Sequence, residues 1–207
     1  KSLLLSFGEF EGKVGITKRL LEYVSMFKNK TERIKNTPDP KKKLIYTTNY
    51  IAKMVSCAFS DNANSELKDY DVEGASEILI NCLNQFFAEC EETRYISETS
   101  IENLTAEKVA HFQEYSLLGR SVGLEILGKL LYSAYDENNT CFVSEKISQV
   151  AQLDWSKESH VWEGNVVLSV PVSTSSLGQA TQSYKITASA SAVKLAVNKA
   201  KVNLGWT

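Results

Sequence analysis

YSLLGRSVGLEILGKLLYSAY, residues 115–135, is the stretch on which the fold turns. It is apolar almost all round, and a helix without a polar face is one that lies in the middle of a bundle with neighbours on every side. Gly119 and Gly123 sit one turn apart within it. Each lowers helix propensity by about 1 kcal/mol relative to Ala, so close approach by a neighbouring helix is the expected compensation. The helical pattern reaches back to Leu104, with a break expected near Ser116, and N-L-T-A-E (103–107) supplies an N-cap.

Working toward the N-terminus, Ala75, Ile78, Leu79, Cys82, Leu83, Phe86 and Cys90 step by three and four and predict a helix over 72–92. Ile51, Met54, Val55, Ala58 and Phe59 predict another over 48–59. Val14, Leu20, Leu21, Val24, Phe27 and Ile34 recur at roughly helical spacing and predict a first helix from Lys13 to about Lys35. DNANSELKDYD (61–71) reads as a turn. NTPDPKKK (36–43) holds two of the three prolines and must be a break.

Toward the C-terminus, Ser144 is placed to cap a short helix through Leu153. WEGNVVLSVPVSTSS (162–176) changes period: Val166, Leu168 and Val170 alternate as far as Pro171, which predicts an extended segment, half of a hairpin. A last helix is expected from about Thr187 to Leu204, stopped by Gly205. The expected fold is therefore all-α in the main, a helical bundle with one short extended segment or hairpin near 162–176. No composition shift divides it, so 1–207 reads as a single domain. Its start at Lys1 reads as the C-terminal domain of a longer protein.

Composition narrows the function. The 207 residues are 43% hydrophobic and 23% charged, which are globular values. A net charge of −2 gives no global attraction to polyanions, so any such contact must come from a local patch. Cys57, Cys82, Cys90 and Cys141 are irregularly spaced without C-x-x-C, and His111 and His160 lie far from them. Neither a zinc site nor a disulfide framework is expected; reduced, buried thiols and no metal or cofactor are. No apolar run reaches the length of a membrane span, and KSLLLSF is too short for a secretory signal.

Legible catalysis is missing. Neither G-x-S-x-G nor G-x-x-x-x-G-K-[ST] occurs, and Lys129 after Gly128 is followed by Leu130. Glu89, Glu91, Glu92, Asp136 and Glu137 fall at helix ends or in loops, where a solvated face accounts for them. Paired acids for hydrolysis stay open, but a non-enzymatic protein is the expectation.

Two stretches are more informative. FKNKTERIKNTPDPKKK (27–43) gathers Lys28, Lys30, Arg33, Lys35, Lys41, Lys42 and Lys43 against only Glu32 and Asp39. It is either a solvated lysine-rich turn or a surface for phosphates, where each neutralised phosphate adds affinity by releasing counterions. LDWSKESHVWEG (153–164) sets Trp155 and Trp162 among Asp154, Lys157, Glu158, His160 and Glu163 and closes on Gly164. A structural corner would have Trp155 ending one helix and Trp162 starting the extended segment. Asp154 and Glu163 would then accept hydrogen bonds from backbone N–H groups, Lys157 or Arg120. Base stacking on an exposed indole is the functional alternative.

ERIKNTPDPKKKLIYTTNYI, GRSVGLEILGKLL, LDWSKESHVWEGNVV and the segment around KITAS, in this order and spacing, resemble the C-terminal half of the DndB family, the DGQHR-domain proteins of DNA sulfur modification. The match to the family's pattern runs through Lys41–Thr48, Gly119–Leu131 and a D-W-[SR]-x-x-x-x-x-W-E-G signature at Asp154–Gly164, and covers roughly 28–205. The resemblance implies a cytoplasmic bacterial protein working beside the phosphorothioation enzymes, which replace a non-bridging phosphate oxygen by sulfur. It further implies a DNA-binding transcriptional regulator that represses the modification genes, and the seven cations of 27–43 are the residues expected to make its contacts with the DNA backbone. A module that docks onto the modification enzymes without touching DNA is the alternative. The D-G-Q-H-R motif is absent here, so no activity of the half that carries it is transferred.

Overall fold

The computed structural model describes residues 11–170 and 183–206. Its helices are α1 (Gly12–Tyr23), α2 (Thr48–Ser60), α3 (Val72–Glu89), α4 (Glu91–Glu98), α5 (Ala106–Tyr115), α6 (Ser121–Ala134), α7 (Ser144–Ala151) and α8 (Ala190–Asn203). Strand is confined to short pairs among the described residues. β1 (Thr31–Glu32) runs parallel to β2 (Tyr46–Thr47), while β3 (Tyr135–Asp136) with β4 (Cys141–Phe142) and β5 (Val167–Val170) with β6 (Ser183–Ile186) are antiparallel. The fold is mainly α, as the periodicities imply.

Helix α6 occupies the centre. Leu124, Ile126, Leu127, Leu130 and Leu131 are wholly buried, with α2 packed on one side and α7 and α8 on others. The close helix–helix approach occurs at Gly128, where an added Cβ would stand 2.6 Å from the Met54 carbonyl oxygen and 2.8 Å from Cys57 Cβ of α2. Of the two glycines expected to serve that purpose, Gly119 admits the last turn of the neighbouring α5, while Gly123 faces the 3-10 turn just before it. A Cβ on Gly119 would stand 2.7 Å from Gln113 Cα, and one on Gly123 would collide with the Leu117 carbonyl. The reason is the break at Ser116. Its Oγ accepts a hydrogen bond from the Leu118 N–H at 3.2 Å and starts a 3-10 turn over Leu117–Gly119, which folds α5 back against the start of α6.

The surrounding helices follow their caps. Thr47 Oγ1 accepts from Tyr50 N, opening α2 with Ile51, Met54, Val55, Ala58 and Phe59 inward; Asp71 accepts from the N–H groups of Glu73 and Gly74, opening α3. The expected 72–92 helix is really two. Cys90 is extended, and Thr93 Oγ1 and Arg94 Nε donate to the Phe87 and Ala88 carbonyls freed at the end of α3. The first helix is shorter than its pattern suggests. It stops at Tyr23 because Val24 is extended, and Asn29 turns the chain in the left-handed region at φ 61°. Ile34, expected on the buried face, is 93% exposed, and Val14 is exposed too. Ser144 is the first residue of α7, with Val143 before it as the cap position, and the helix ends at Ala151. Ser189 caps α8, and Gly205 closes it at φ 70°.

Residues 171–176 of the expected extended segment lie outside the described residues. Within the rest, 162–166 form a turn in which Val167 N–H donates to the Trp162 carbonyl at 3.0 Å, and the strand begins only at Val167.

A file of aromatic rings runs through the core from Tyr46 to Phe27, Phe87, Phe86, Trp155 and Trp162, with centroids 5.0 to 6.0 Å apart. It joins the base of the basic segment to the double-tryptophan corner. Tyr46 anchors the near end through a 2.9 Å hydrogen bond from its hydroxyl to the Leu118 carbonyl.

Candidate nucleic-acid interface

The basic segment is built on the parallel pairing of Thr31 with Tyr46 and Glu32 with Thr47. The chain leaves β1, loops out through 33–39, turns back in a 3-10 turn at Pro40–Lys42 and re-enters at β2. Proline at the start of that turn presets its φ, and Lys43 reverses the chain at φ 61°.

Within this frame the seven basic residues separate. Lys28, Arg33, Lys35, Lys41 and Lys42 are exposed. Lys35 and Lys41 line one shallow groove of about 390 Å³ between the loop and Ala110 of α5. Among the described residues, ion pairs join Lys13 to Glu66, Arg19 to Glu73 and Lys129 to Asp61, and none involves these five cations. Glu32, the acid inside the segment, is engaged by the backbone: its Oε1 accepts from Ile34 N at 2.9 Å and Lys35 N at 3.2 Å. Those two bonds hold its carboxyl below the usual range, with Lys35 and Lys42 adding to the shift.

Lys30 does not belong to the surface. It is 3% exposed, and its ammonium donates to the Ile96 carbonyl at 2.6 Å, Ser25 at 3.1 Å and Ser97 at 3.4 Å. It caps the carbonyl end of α4, where a cation is favoured. Burial lowers its pKa to about 8. Lys43 is half-buried and donates to the carbonyls of Ile101 at 2.9 Å and Glu102 at 3.3 Å. Both were expected at the phosphate surface, and both instead satisfy orphan carbonyls.

The tryptophan signature is interior. Trp155 and Trp162 have no exposed surface, and their rings stack at 5.0 Å and 28°. Base stacking on either is thereby ruled out, because neither face is open. Trp155 Nε1 donates to the Val150 carbonyl at 3.1 Å and Trp162 Nε1 to the Asp154 carbonyl at 2.7 Å. Trp155 N–H reaches Glu92 at 2.8 Å.

Of the charged members, Asp154 takes a backbone N–H as expected, while Glu163, Arg120 and Lys157 find other partners. Asp154 accepts from Ser156 N at 2.9 Å and Glu163 from Ser169 Oγ at 3.2 Å. Arg120 Nε donates to the Gln113 carbonyl at 2.8 Å, and the Lys157 ammonium to the carbonyls of Gln113 and Glu114. Arg120 and Lys157 thus cap the C-terminal end of α5, and they partner neither Asp154 nor Glu163. Burial, then the nearby Arg120, lowers Lys157 to about 8. Gly164 turns at φ 75° and donates to the Val167 carbonyl at 3.0 Å.

A second feature went unmarked in the sequence. Residues 165–207 contain no Asp or Glu but carry Lys185, Lys194, Lys199 and Lys201. The absence of acids was the available signal. Lys199 donates to the carbonyls of His160 and Glu163, and Lys194 and Lys201 line a groove with Lys129, Asp61 and Glu125, in which Asp61 is paired with Lys129.

Cys57, Cys82 and Cys90 are free and buried, while Cys141 is half-buried rather than buried as expected; burial pushes Cys57 and Cys90 up to about 12. No cluster of three or more His, Cys, Asp or Glu that could hold a metal is found among the described residues, and no described helix is long and apolar enough to cross a membrane.

A family model described as DndB, DNA-sulfur modification-associated, matches residues 1–207, a longer span than the motifs cover. No curated protein and no solved structure matches the chain.

Proposed function

The chain belongs to the DndB family of DNA-sulfur modification-associated proteins, and on that premise we propose that it is a DNA-binding regulatory module of a phosphorothioation system, a cytoplasmic repressor of the modification genes that works by binding and not by catalysis. The observation that carries the reading is the exposed set Lys28, Arg33, Lys35, Lys41 and Lys42, free of ion pairs beside a glutamate whose carboxylate is engaged by backbone. Cations in this state meet phosphates at little desolvation cost and gain affinity from counterion release. Such contacts set position on the duplex and carry no sequence information. A phosphorothioate keeps the single negative charge of a phosphate, so charge alone gives this surface no means of telling the two apart.

The test combines duplex binding with a promoter reporter. The wild-type protein should bind duplex DNA at low salt and lower expression from the modification-gene promoter, and Lys41→Ala/Lys42→Ala should weaken both. Failure of the wild-type protein to bind any duplex at low salt would remove the reading.

One observation favours the second reading, a docking module for the modification enzymes. Tyr95 and Tyr115, each about half exposed, flank a cleft of about 240 Å³ between α4 and α5, with the His111 ring 4.4 Å from that of Tyr115 and tilted by 33°. Aromatic side chains of this kind are enriched at protein interfaces. Association that survives nuclease treatment and is lost in Tyr95→Ala/Tyr115→Ala would support it.

A further inference from the structure

We propose that Ile34 is an apolar wedge that enters a base step of duplex DNA while its cationic neighbours hold the phosphates on either side. The proposal rests on the DNA reading above and adds a deformation of the duplex to it.

The side chain is out of place by every local rule. Its spacing with Val24 and Phe27 suits a buried helical face, yet the chain has turned at Asn29 and left Ile34 93% exposed. Among the large apolar side chains exposed in the described residues, none is more so. Departures of this kind from pattern concentrate where a protein does its work.

The position is held rather than loose. Glu32 Oε1 accepts from both Ile34 N and Lys35 N, pinning the backbone of the tip two residues beyond the β1–β2 pairing. Ile is branched at Cβ and stiff at χ1, so little side-chain freedom remains to be lost on insertion. Arg33 and Lys35, both exposed, flank it in sequence, with Lys41 and Lys42 in the 3-10 turn where the loop comes back.

An apolar tip between cations complements one target chemistry in particular. The rim of a DNA minor groove presents phosphates and its floor leads to stacked, apolar base faces. Proteins that bend DNA insert Ile, Leu, Met or Phe there, and the unstacking is offset by the extra surface the bend brings into contact. A membrane surface shares the charge complement, but a lone Ile lacks the broad apolar face by which helices lie in a bilayer interface.

The experiment uses a short duplex with a central TA step, which unstacks easily, and 2-aminopurine in place of that adenine. Wild-type protein should raise the 2-aminopurine fluorescence on binding. Ile34→Ala should bind with an unchanged salt dependence, because no phosphate contact is removed, and lose the fluorescence rise. Ile34→Leu should restore it. The side chain is exposed, so all three proteins should have the same thermal stability. Salt-dependent binding with no fluorescence rise, or a rise that persists in Ile34→Ala, would overturn the wedge and leave the phosphate reading standing. Absence of salt-dependent binding would bring down both. Ile34-dependent binding to phosphatidylserine vesicles, without any effect on the duplex, would overturn the wedge in favour of a lipid surface.

Discussion

The Lys30 ammonium donates a 2.6 Å hydrogen bond to the Ile96 carbonyl, tying the start of the basic segment to the last turn of α4. Lys30, like Lys43, holds the loop in place, while Lys28, Arg33, Lys35, Lys41 and Lys42 are exposed. Stability and polyanion binding should separate cleanly between adjacent basic residues.

Lys30→Met keeps most of the apolar stem of the side chain and removes the donor. The carbonyls of Ser25, Ile96 and Ser97 lose a shared partner, and leaving such groups unsatisfied in the interior costs about 1–3 kcal/mol. Urea unfolding should show that loss. The folded variant should bind duplex DNA as the wild type does.

The same burial gives a pH dependence. Lys30 and Lys157 titrate at about 8 in the folded protein against 10.5 ordinarily. From about 8 upward the unfolded chain therefore binds more protons than the folded one, and these two groups make stability rise with pH. Cys57 and Cys90 act in the opposite sense, since burial raises them to about 12 from 9.0 and their contribution falls away above pH 9. Unfolding free energy should increase between pH 8 and 9, then level or decline. In Lys30→Met the rise should be smaller, and an undiminished rise would show that Lys30 is not its source.

Trp162 lies wholly inside, stacked on Trp155. Trp162→Ala should cost about 3–5 kcal/mol, and Trp162→Phe less, since it keeps a ring and loses the hydrogen bond to the Asp154 carbonyl. Chemical denaturation measures both. A Trp162→Ala protein of normal stability and reduced DNA affinity would show instead that the indole faces the ligand.

Gly128→Ala tests the central helix crossing. The new Cβ would stand 2.6 Å from the Met54 carbonyl oxygen, which sits on helix backbone and cannot step aside alone. Overpacking of this kind costs about 1–3 kcal/mol. At Gly164 an added Cβ meets nothing, and only the φ of 75° opposes Gly164→Ala, by roughly 1–2 kcal/mol. Thermal unfolding should order wild type above both variants.

The sequence revealed the helices whose caps and periodicity agree. α2 has Thr47 before an apolar stripe, and the α5–α6 boundary is marked by Ser116 between two strong patterns. It concealed whatever depends on contacts distant in the chain. The pattern from Val14 to Ile34 continues past Tyr23 although the helix does not, because β1 leaves to pair with β2 beyond the proline loop. Lys30 reads like its neighbours, and only the position of α4 makes it interior. The tryptophan signature could be located but its exposure could not, since burial of Trp155 comes from Phe86 on a remote helix. The acid-free stretch after Gly164 was open to inspection and shows that a missing charge is as informative as a present one.

The most direct test is the salt dependence of duplex binding, by fluorescence anisotropy, for wild type, Lys41→Ala/Lys42→Ala and Lys30→Met. Each phosphate contact contributes about 0.9 to the slope of log K against log salt. The double variant should lose about two from the slope, roughly one per lysine, and Lys30→Met should keep the wild-type value. A double variant with an unchanged slope would contradict the phosphate reading.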